Sequence, residues 1–246
     1  MAHRASAAGH AVTGTSSADL DITDRAAVLT TVAGVRPDVV VNAAYRVDSW
    51  AICADGAANV ALAAREVGAR LVHLSSDAVH AGRAAPYRDD DPPAPVHTYG
   101  AAKAAAETAV RAIDPGALLI RTSLIIGGDR SKQIRLALDL AAGRRTGALF
   151  TDEYRCPIAV TDLAAAVLEL AASPVSGTLN VAGPETLSRA ELGRLAAVRH
   201  GLDPDRIPTC TIAEGGLGPR PAHVVLDSSL AASMVRGPLR PASDVL

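Results

Sequence analysis

The chain has 246 residues, of which 49% are hydrophobic and 20% charged, a balance that can bury a sizeable core. Its formal net charge is −2 without a basic block, which argues against a nucleic-acid partner. No apolar run approaches the ~20 residues of a membrane-spanning helix, and the first residues lack the apolar core of a signal peptide. Three isolated cysteines form no metal-ligand spacing and fit a reducing compartment, so we predict a cytoplasmic protein without a metal or a membrane partner.

Along the chain, short apolar runs alternate with helical patterns. Strands are predicted at 37–44, 70–76, 117–127 and 177–183, and helices at 55–69, from Tyr99 onward, at 132–143, at 160–173 and at 188–201. This alternation predicts an α/β protein with a parallel sheet covered on both faces. After Gly201 the pattern loosens, which predicts a smaller C-terminal lobe with short elements.

The stretch from His97 to Val110 is mostly alanine, yet it carries Tyr99 and, four residues later, Lys103. Alanine favours helix, and residues four apart lie one turn apart on one helical face. Tyrosine occurs four times in the chain, and lysine occurs only at Lys103 and Lys132. Because an ammonium fits among hydroxyls where a guanidinium does not, this pairing suggests a site.

Ligands of parallel sheets bind outside the carboxyl ends of the strands, where Ser76 and the loop before Tyr99 are predicted to lie. A serine, a phenol and an ammonium together can polarise a carbonyl and protonate it. A free phenol has a pKa of about 10, which a nearby ammonium lowers. We therefore predict that Ser76, Tyr99 and Lys103 are catalytic: Tyr99 is the general acid, Lys103 tunes it and Ser76 stabilises the developing charge.

Five ordered segments, "NAA", "VHLSSDAV", "YGAAK", "IRTSLIIG" and "VTDLAAAV", resemble the extended short-chain dehydrogenase/reductase superfamily. Within it, the chain is most similar to the dTDP-4-dehydrorhamnose reductase group of sugar-nucleotide reductases. The resemblance implies a doubly wound, Rossmann-type domain for NAD(P) at 1–150, N-terminally incomplete. It also implies substrate-side elements and a small lobe at 151–246, interleaved with the last sheet strands.

The resemblance also assigns roles to individual residues. Tyr99 protonates the sugar ketone, Lys103 also holds the nicotinamide ribose, and Ser76 takes the family's Ser/Thr position. Asp21 and Ile22 match the pair beside the adenine. Five further positions match the family, Ala43, Ala44 and Tyr45 along the cofactor and Asp77 and Leu124 facing the substrate, and strand-end packing explains these five as well as ligand contact does.

The chain departs from the family at its start and around the substrate. The family's first strand and Gly-rich turn, which cradles the pyrophosphate at a helix N-terminus, are not found. The first twelve residues resemble instead the second half of the first helix, running into the second strand. We therefore expect a truncated or misassigned start and weak NADPH binding by this form. Cys53 replaces a family asparagine, and Ala78, His80 and Leu124 replace aromatic residues, which predicts a wider pocket and a substrate other than dTDP-4-dehydrorhamnose.

These observations predict NAD(P)H-dependent reduction of a carbonyl on a nucleotide-linked deoxysugar. Hydroxyls precede the first acid in "GTSSAD", which favours NADP(H) over NAD(H). One alternative is a non-catalytic ligand-binding or regulatory subunit with the same fold, and another is a sugar-nucleotide epimerase. A dehydratase would need an acidic pair near Ser76, and Asp77 alone does not supply one. A homodimer is compatible with each of these readings.

Overall fold

The computed structural model describes residues 1–127 and 131–246. Its centre is a four-stranded parallel sheet in the order β1-β2-β3-β8. The strands are β1 (Val39–Asn42), β2 (Arg70–Ser76), β3 (Leu118–Thr122) and β8 (Gly177–Asn180). The predicted parallel sheet is confirmed, and all four strands end at the same edge.

Helices cover both faces of this sheet. The α-helices of the described residues, in both lobes, are α1 (Ala2–Ala7), α2 (Arg25–Val35), α3 (Gly56–Glu66), α4 (Thr98–Ile113), α5 (Lys132–Ala141), α6 (Val160–Ala171), α7 (Arg189–Arg199), α8 (Ile212–Gly215), α9 (Ser229–Met234) and α10 (Ala242–Val245). Successive strand residues point to opposite faces, so Leu71 and Leu119 pack under α2, α3 and α4, whereas Val72 and Leu118 pack under α6 and α9. Each face thus has its own apolar core.

A second lobe is built from α5, α7 and α10 with three pairs of two-residue strands. The parallel pairs are β4 (Ile125–Ile126) with β7 (Ile158–Ala159) and β5 (Leu149–Phe150) with β10 (Thr209–Cys210), and β6 (Tyr154–Arg155) pairs antiparallel with β9 (Leu187–Ser188). Of the short elements after Gly201, β10 and α10 lie here, whereas α9 packs under the central sheet. Because β8 returns to the central sheet, the two lobes are interleaved along the chain.

Local sequence explains where the helices begin and end. Ser188 caps α7 by accepting the Glu191 backbone N–H at 3.1 Å, while the Glu191 carboxylate accepts the Ser188 N–H at 2.7 Å. Gly201 follows α7 with φ +68° and Gly68 follows α3 with φ +72°, a conformation that glycine adopts without strain. The predicted stop signals are confirmed at both helices.

Two predicted elements are wrong. The run 117–127 is two strands, because the Ser123 hydroxyl donates to Asp77 at 2.7 Å and accepts the Cys156 N–H at 3.2 Å, and the chain turns there into the second lobe. The N-terminal segment does form the helix α1, but residues 8–24 contain no strand, since their backbone forms turns rather than a ladder with any described strand. No described helix is long and apolar enough to cross a membrane.

Candidate active site

Ser76 is the last residue of β2 and lies at the edge where ligands of parallel sheets bind. Its hydroxyl caps the 3₁₀ turn 77–79 by accepting the Ala78 N–H at 3.2 Å, and it donates to Asp77 Oδ1 at 3.1 Å. The side chain is half-buried. Ser76 is therefore held at the crevice by local hydrogen bonds.

Tyr99 is placed beside Ser76 by the start of α4. The His97 ring caps this helix by accepting the Gly100 N–H at 3.0 Å. A Cβ on Gly100 would lie 2.1 Å from the Ala78 carbonyl oxygen, so the helix packs directly on the turn after Ser76. Only glycine permits this approach. The hydroxyls of Tyr99 and Ser76 interact as a result.

Lys103 lies one turn further along α4 and is buried, with 2% of its surface exposed. Its ammonium donates to the Leu74 carbonyl oxygen at 2.6 Å. Burial lowers the Lys103 pKa to about 8, although Cys53 and Glu107 oppose the shift. Lys103 is thus still mainly protonated at neutral pH. The structure brings Ser76, Tyr99 and Lys103 together, as predicted.

The predicted effect of Lys103 on Tyr99 is wrong for this structure. Burial raises the pKa of Tyr99 well above its ordinary value, and the hydrogen bond with Ser76 only partly opposes this. Cys53 and Asp77 raise the pKa further. The Lys103 ammonium donates to the Leu74 carbonyl instead, so burial of the Tyr99 phenol determines the direction in which its pKa is shifted. Tyr99 therefore holds its proton firmly.

Tyr45, a predicted cofactor residue at the end of β1, lies within electrostatic reach of Tyr99, and its charge would raise the pKa of Tyr99. With Lys132 and residues 46–48 it lines an open cavity of about 530 Å³ at the end of β1. Ala43 and Ala44 are exposed at the same strand end. The cofactor contacts of Ala43, Ala44 and Tyr45 stay predictions.

Asp21 and Ile22 lie farther along this side of the sheet. The exposed Asp21 carboxylate accepts the backbone N–H and hydroxyl of Thr23 at 2.9 and 2.8 Å, and Ile22 packs against the start of α3. The role of Asp21 and Ile22 beside the adenine stays a prediction. Within 1–127 and 131–246, no Gly-rich turn leads from a strand into a helix to form a pyrophosphate cradle.

On the substrate side, Asp77 is fully engaged. Its Oδ1 accepts from Ser76 at 3.1 Å, its Oδ2 accepts from Ser123 at 2.7 Å, and Arg155 Nε lies 3.5 Å from Oδ2. Leu124, half-buried, packs against the core of the second lobe. Asp77 thus orients Ser76, and its contact with substrate stays a prediction.

His80 does not widen the substrate pocket, contrary to the prediction. It is fully buried and stacks on Tyr87, with ring centroids 3.8 Å apart. Burial lowers its pKa to about 4, so the ring is neutral at neutral pH. The Ala78 carbonyl packs on Gly100 of α4, while the residue stays half-buried. Of the three replaced aromatic positions, Ala78 and Leu124 remain candidates for the pocket.

Sequence reasoning missed a cluster of charged residues in the second lobe next to Asp77. Arg155, Arg189 and Arg220 surround the buried carboxylate of Glu153. The charged run "TDEYR" between apolar segments was the available signal. It could not identify Arg189 or Arg220, which are distant in sequence.

The central sheet is parallel, and Ser76 lies at the end of one of its strands. Tyr99 and Lys103 lie beside it, one helical turn apart on α4. This arrangement defines an extended short-chain dehydrogenase/reductase. A sequence model described as "RmlD substrate binding domain" matches residues 1–243, and the chain belongs to this family.

Named relatives agree with this assignment. A dTDP-4-dehydrorhamnose reductase of Mycolicibacterium smegmatis is 36% identical, over 98% of this chain and 77% of that protein. The spore coat polysaccharide biosynthesis protein SpsK of Bacillus subtilis is 31% identical, over 89% of this chain and 81% of that protein. The crystal structure of a dTDP-4-dehydrorhamnose reductase from Clostridium acetobutylicum superposes with a TM-score of 0.88 at 25% identity, over 99% of this chain and 90% of that one.

Proposed function

We propose that this chain reduces the carbonyl of a nucleotide-linked deoxysugar with NAD(P)H. The observation that carries the proposal is the convergence of Ser76, Tyr99 and Lys103 at one strand edge. The relatives named dTDP-4-dehydrorhamnose reductase support the substrate class. A keto group on the sugar ring is the reacting centre of such a substrate.

The high pKa of Tyr99 suits a proton donor rather than a base. At neutral pH the phenol is fully protonated, and it transfers its proton to the carbonyl oxygen as negative charge develops there, because an alkoxide is more basic than a phenolate. Ser76 supplies a second donor once its hydroxyl turns from Asp77 to the same oxygen. The Lys103 ammonium, one turn away along α4, would hold the nicotinamide ribose rather than tune the phenol.

The bound nicotinamide would supply the hydride. We assign Tyr45, Tyr99 and Lys103 to its riboside half, and Asp21, Ile22, Ala43 and Ala44 to the rest of the dinucleotide. NADP(H) is favoured over NAD(H), because the segment 13–17 offers exposed hydroxyls where an acid would select NAD. In this chain Ser16 already donates to Asp19 at 2.7 Å, which leaves Thr13, Thr15 and Ser17 for a phosphate.

A dehydratase is not supported by this site, because it would need a second free acid near Ser76. The Asp77 carboxylate is held on both oxygens by Ser76, Ser123 and Arg155. The engaged carboxylate favours reduction over elimination.

Tyr99→Phe tests the proposal. Removing a positioned general acid is expected to lower kcat by ~10²–10⁴, while circular dichroism and thermal unfolding stay unchanged. The measurement is NADPH oxidation with a panel of keto-deoxysugar nucleotides. Tyr154→Phe removes a phenolic hydroxyl outside the trio and should retain activity. Near wild-type turnover by the Tyr99 variant, or no reduction of any panel member by the wild type, would contradict the proposal.

A further inference from the structure

The loop that follows β1 carries Tyr45, whose side chain is 56% exposed. Exposed side chains change rotamer within nanoseconds, so the position of Tyr45 depends on how the backbone around it is held. Before Tyr45, the Ala44 N–H donates to Asn42 Oδ1 at 3.1 Å. The Asn42 amide nitrogen lies 3.2 Å from His73 Nδ1, and both of these side chains are buried. A buried pair thus fastens the loop on the N-terminal side of Tyr45.

Cys53 fastens the same loop on the other side of Tyr45. Its thiol donates to the Arg46 carbonyl oxygen at 3.1 Å and accepts the Arg46 N–H at 3.5 Å. The same carbonyl accepts the Ser49 N–H at 3.1 Å, which closes a turn. The Arg46 side chain pairs with the exposed Asp48 of that turn, so this ion pair does not tie the loop to the core. The thiol of Cys53 connects the loop to a buried part of the protein.

Cys53 is itself held in place by helical structure. It is 1% exposed and lies in a π-helical turn, Ala51–Asp55, which runs directly into α3. Its N–H donates to the Ser49 carbonyl at 3.2 Å. Such π-helical turns are rare and are frequent at functional sites. A buried thiol on this turn is a fixed point against which the exposed loop can be held.

Cys53 also packs against the catalytic helix. With Ala54 and Ala102 it forms a small buried cluster, and Tyr99 packs against this cluster. A charge on the thiol would raise the pKa values of Tyr99 and Lys103, so Cys53 lies within electrostatic reach of both. One side chain therefore contacts the loop after β1 and the residues that pack beside Tyr99. The position of this loop relative to α4 depends on Cys53.

We propose that Cys53 is a positioning residue, which holds the backbone of Arg46 and thereby fixes Tyr45 at the cofactor side of the crevice. This inference rests on the proposed function, in which Tyr45 is assigned to the riboside half of the dinucleotide. Alanine in place of Cys53 would remove the side-chain partner of the Arg46 N–H and carbonyl, and the loop could move away. Serine would keep a donor for that carbonyl.

Calorimetry with NADPH tests this role in Cys53→Ala and Cys53→Ser. These variants differ by one hydroxyl, so the comparison separates the hydrogen bond to Arg46 from the lost packing of the sulfur. We expect Cys53→Ala to weaken NADPH binding about 3- to 10-fold, the usual effect of losing a hydrogen bond, and Cys53→Ser to restore most of that loss. In turnover, the KM for NADPH should rise in Cys53→Ala with little change in kcat. Cys210→Ala is the matched control, because it removes a thiol from β10 of the second lobe.

A double-mutant cycle with Tyr45→Ala distinguishes positioning from a general structural effect. If Cys53 acts through Tyr45, Cys53→Ala should cost no further NADPH affinity in the Tyr45→Ala background. Hydrogen exchange of residues 43–47 in the free protein should be faster in Cys53→Ala and close to wild type in Cys53→Ser. Equal losses of affinity in both backgrounds, or a Ser variant as weak as the Ala variant, would overturn the proposal.

Unchanged NADPH affinity or unchanged exchange of residues 43–47 in Cys53→Ala would also overturn it, as would a wild type that binds neither NADPH nor NADH. The proposed function fails separately. A chain that binds NADPH and loses affinity with Cys53→Ala, yet reduces no keto-sugar nucleotide, contradicts the reductase activity and supports the positioning role of Cys53.

Discussion

Lys103 and Lys132 are the lysines of this chain, and they lie in opposite environments. Lys132 is exposed at the start of α5, whereas Lys103 is buried under the crevice. Burial lowers the Lys103 pKa to about 8, so its charge depends on pH within the range where enzymes are assayed. An arginine at this position would stay charged throughout.

The pH dependence of the reaction should therefore report Lys103. We expect kcat/KM to fall as pH rises through about 8, approaching tenfold per pH unit, because the ammonium beside Tyr99 is lost. Lys103→Arg should lower kcat, since the planar group does not fit the place of the ammonium, and should remove this limb of the profile. A pH–rate profile of both proteins is the measurement. If kcat/KM of the Arg variant still falls near pH 8, the fall belongs to a titrating group other than Lys103.

The free energy of unfolding should change with pH in the opposite direction to kcat/KM. The folded pKa of Lys103 is lowered, whereas an unfolded lysine titrates near 10.4. Between about pH 8 and that value the unfolded chain binds the extra proton, so this residue makes the fold more stable as pH rises. Below pH 8 the buried Lys103 ammonium therefore lowers the free energy of unfolding. Such a perturbed pKa is common at functional sites.

At the scale of elements, the contact between α4 and the turn 77–79 brings Tyr99 to Ser76. The contact depends on Gly100, where a Cβ would lie 2.1 Å from the Ala78 carbonyl oxygen and 3.0 Å from Pro95. Backbone atoms cannot move aside as a flexible side chain can. The glycine after Tyr99 is therefore required by packing.

We predict that Gly100→Ala destabilises the fold by about 1–3 kcal/mol and lowers kcat, because α4 must shift away from Ser76. Urea unfolding and NADPH oxidation measure the two effects. Gly34→Ala is the matched control: Gly34 is within α2, and a Cβ there meets nothing within 4 Å. That variant should gain about 0.5–1 kcal/mol, since alanine favours helix. Equal stabilities of the two variants would refute the packing role of Gly100.

At the scale of the whole molecule, a buried ion pair joins the elements that carry the site. Glu107 of α4 accepts from Arg121 Nε at 3.0 Å and from its terminal nitrogen at 2.8 Å, and Ser75 of β2 donates to Glu107 at 2.6 Å. Arg121, on β3, also donates to the Asp91 carbonyl at 2.7 Å. Both charged side chains are at most 1% exposed. Two strands, the catalytic helix and the loop before it are thus fixed together.

Breaking this pair should be costly, since it leaves a buried charge without a partner. We predict a loss of about 3–5 kcal/mol for Glu107→Ala. The double variant Glu107→Leu/Arg121→Met, which buries no charge, should be less destabilised than that single variant. Urea unfolding with a double-mutant cycle measures both. If the double variant is less stable than Glu107→Ala, the ion pair itself stabilises the fold and the prediction is wrong.

Much of the fold follows from local patterns. Strands β1, β2 and β8 and helices α3 to α7 lie where apolar runs, periodicity and caps predict them, because these signals act over one or two turns. The break between β3 and β4 escaped prediction, since nothing local marks it. A hydrogen bond from Ser123 to Asp77, 46 residues away, decides it.

By itself, the sequence determined the parallel α/β architecture and the Ser76, Tyr99 and Lys103 trio, since a helical spacing of four and strand-end positions are local properties. Tertiary structure alone decided the protonation states at the crevice and the arginine cluster beside it. Burial raises the Tyr99 pKa and lowers those of Lys103 and His80, and burial depends on what packs from elsewhere in the chain. The arginine cluster likewise joins Glu153 to Arg220 across 67 residues. Local sequence patterns cannot predict contacts between charged residues so far apart in the chain, because only folding brings those residues together.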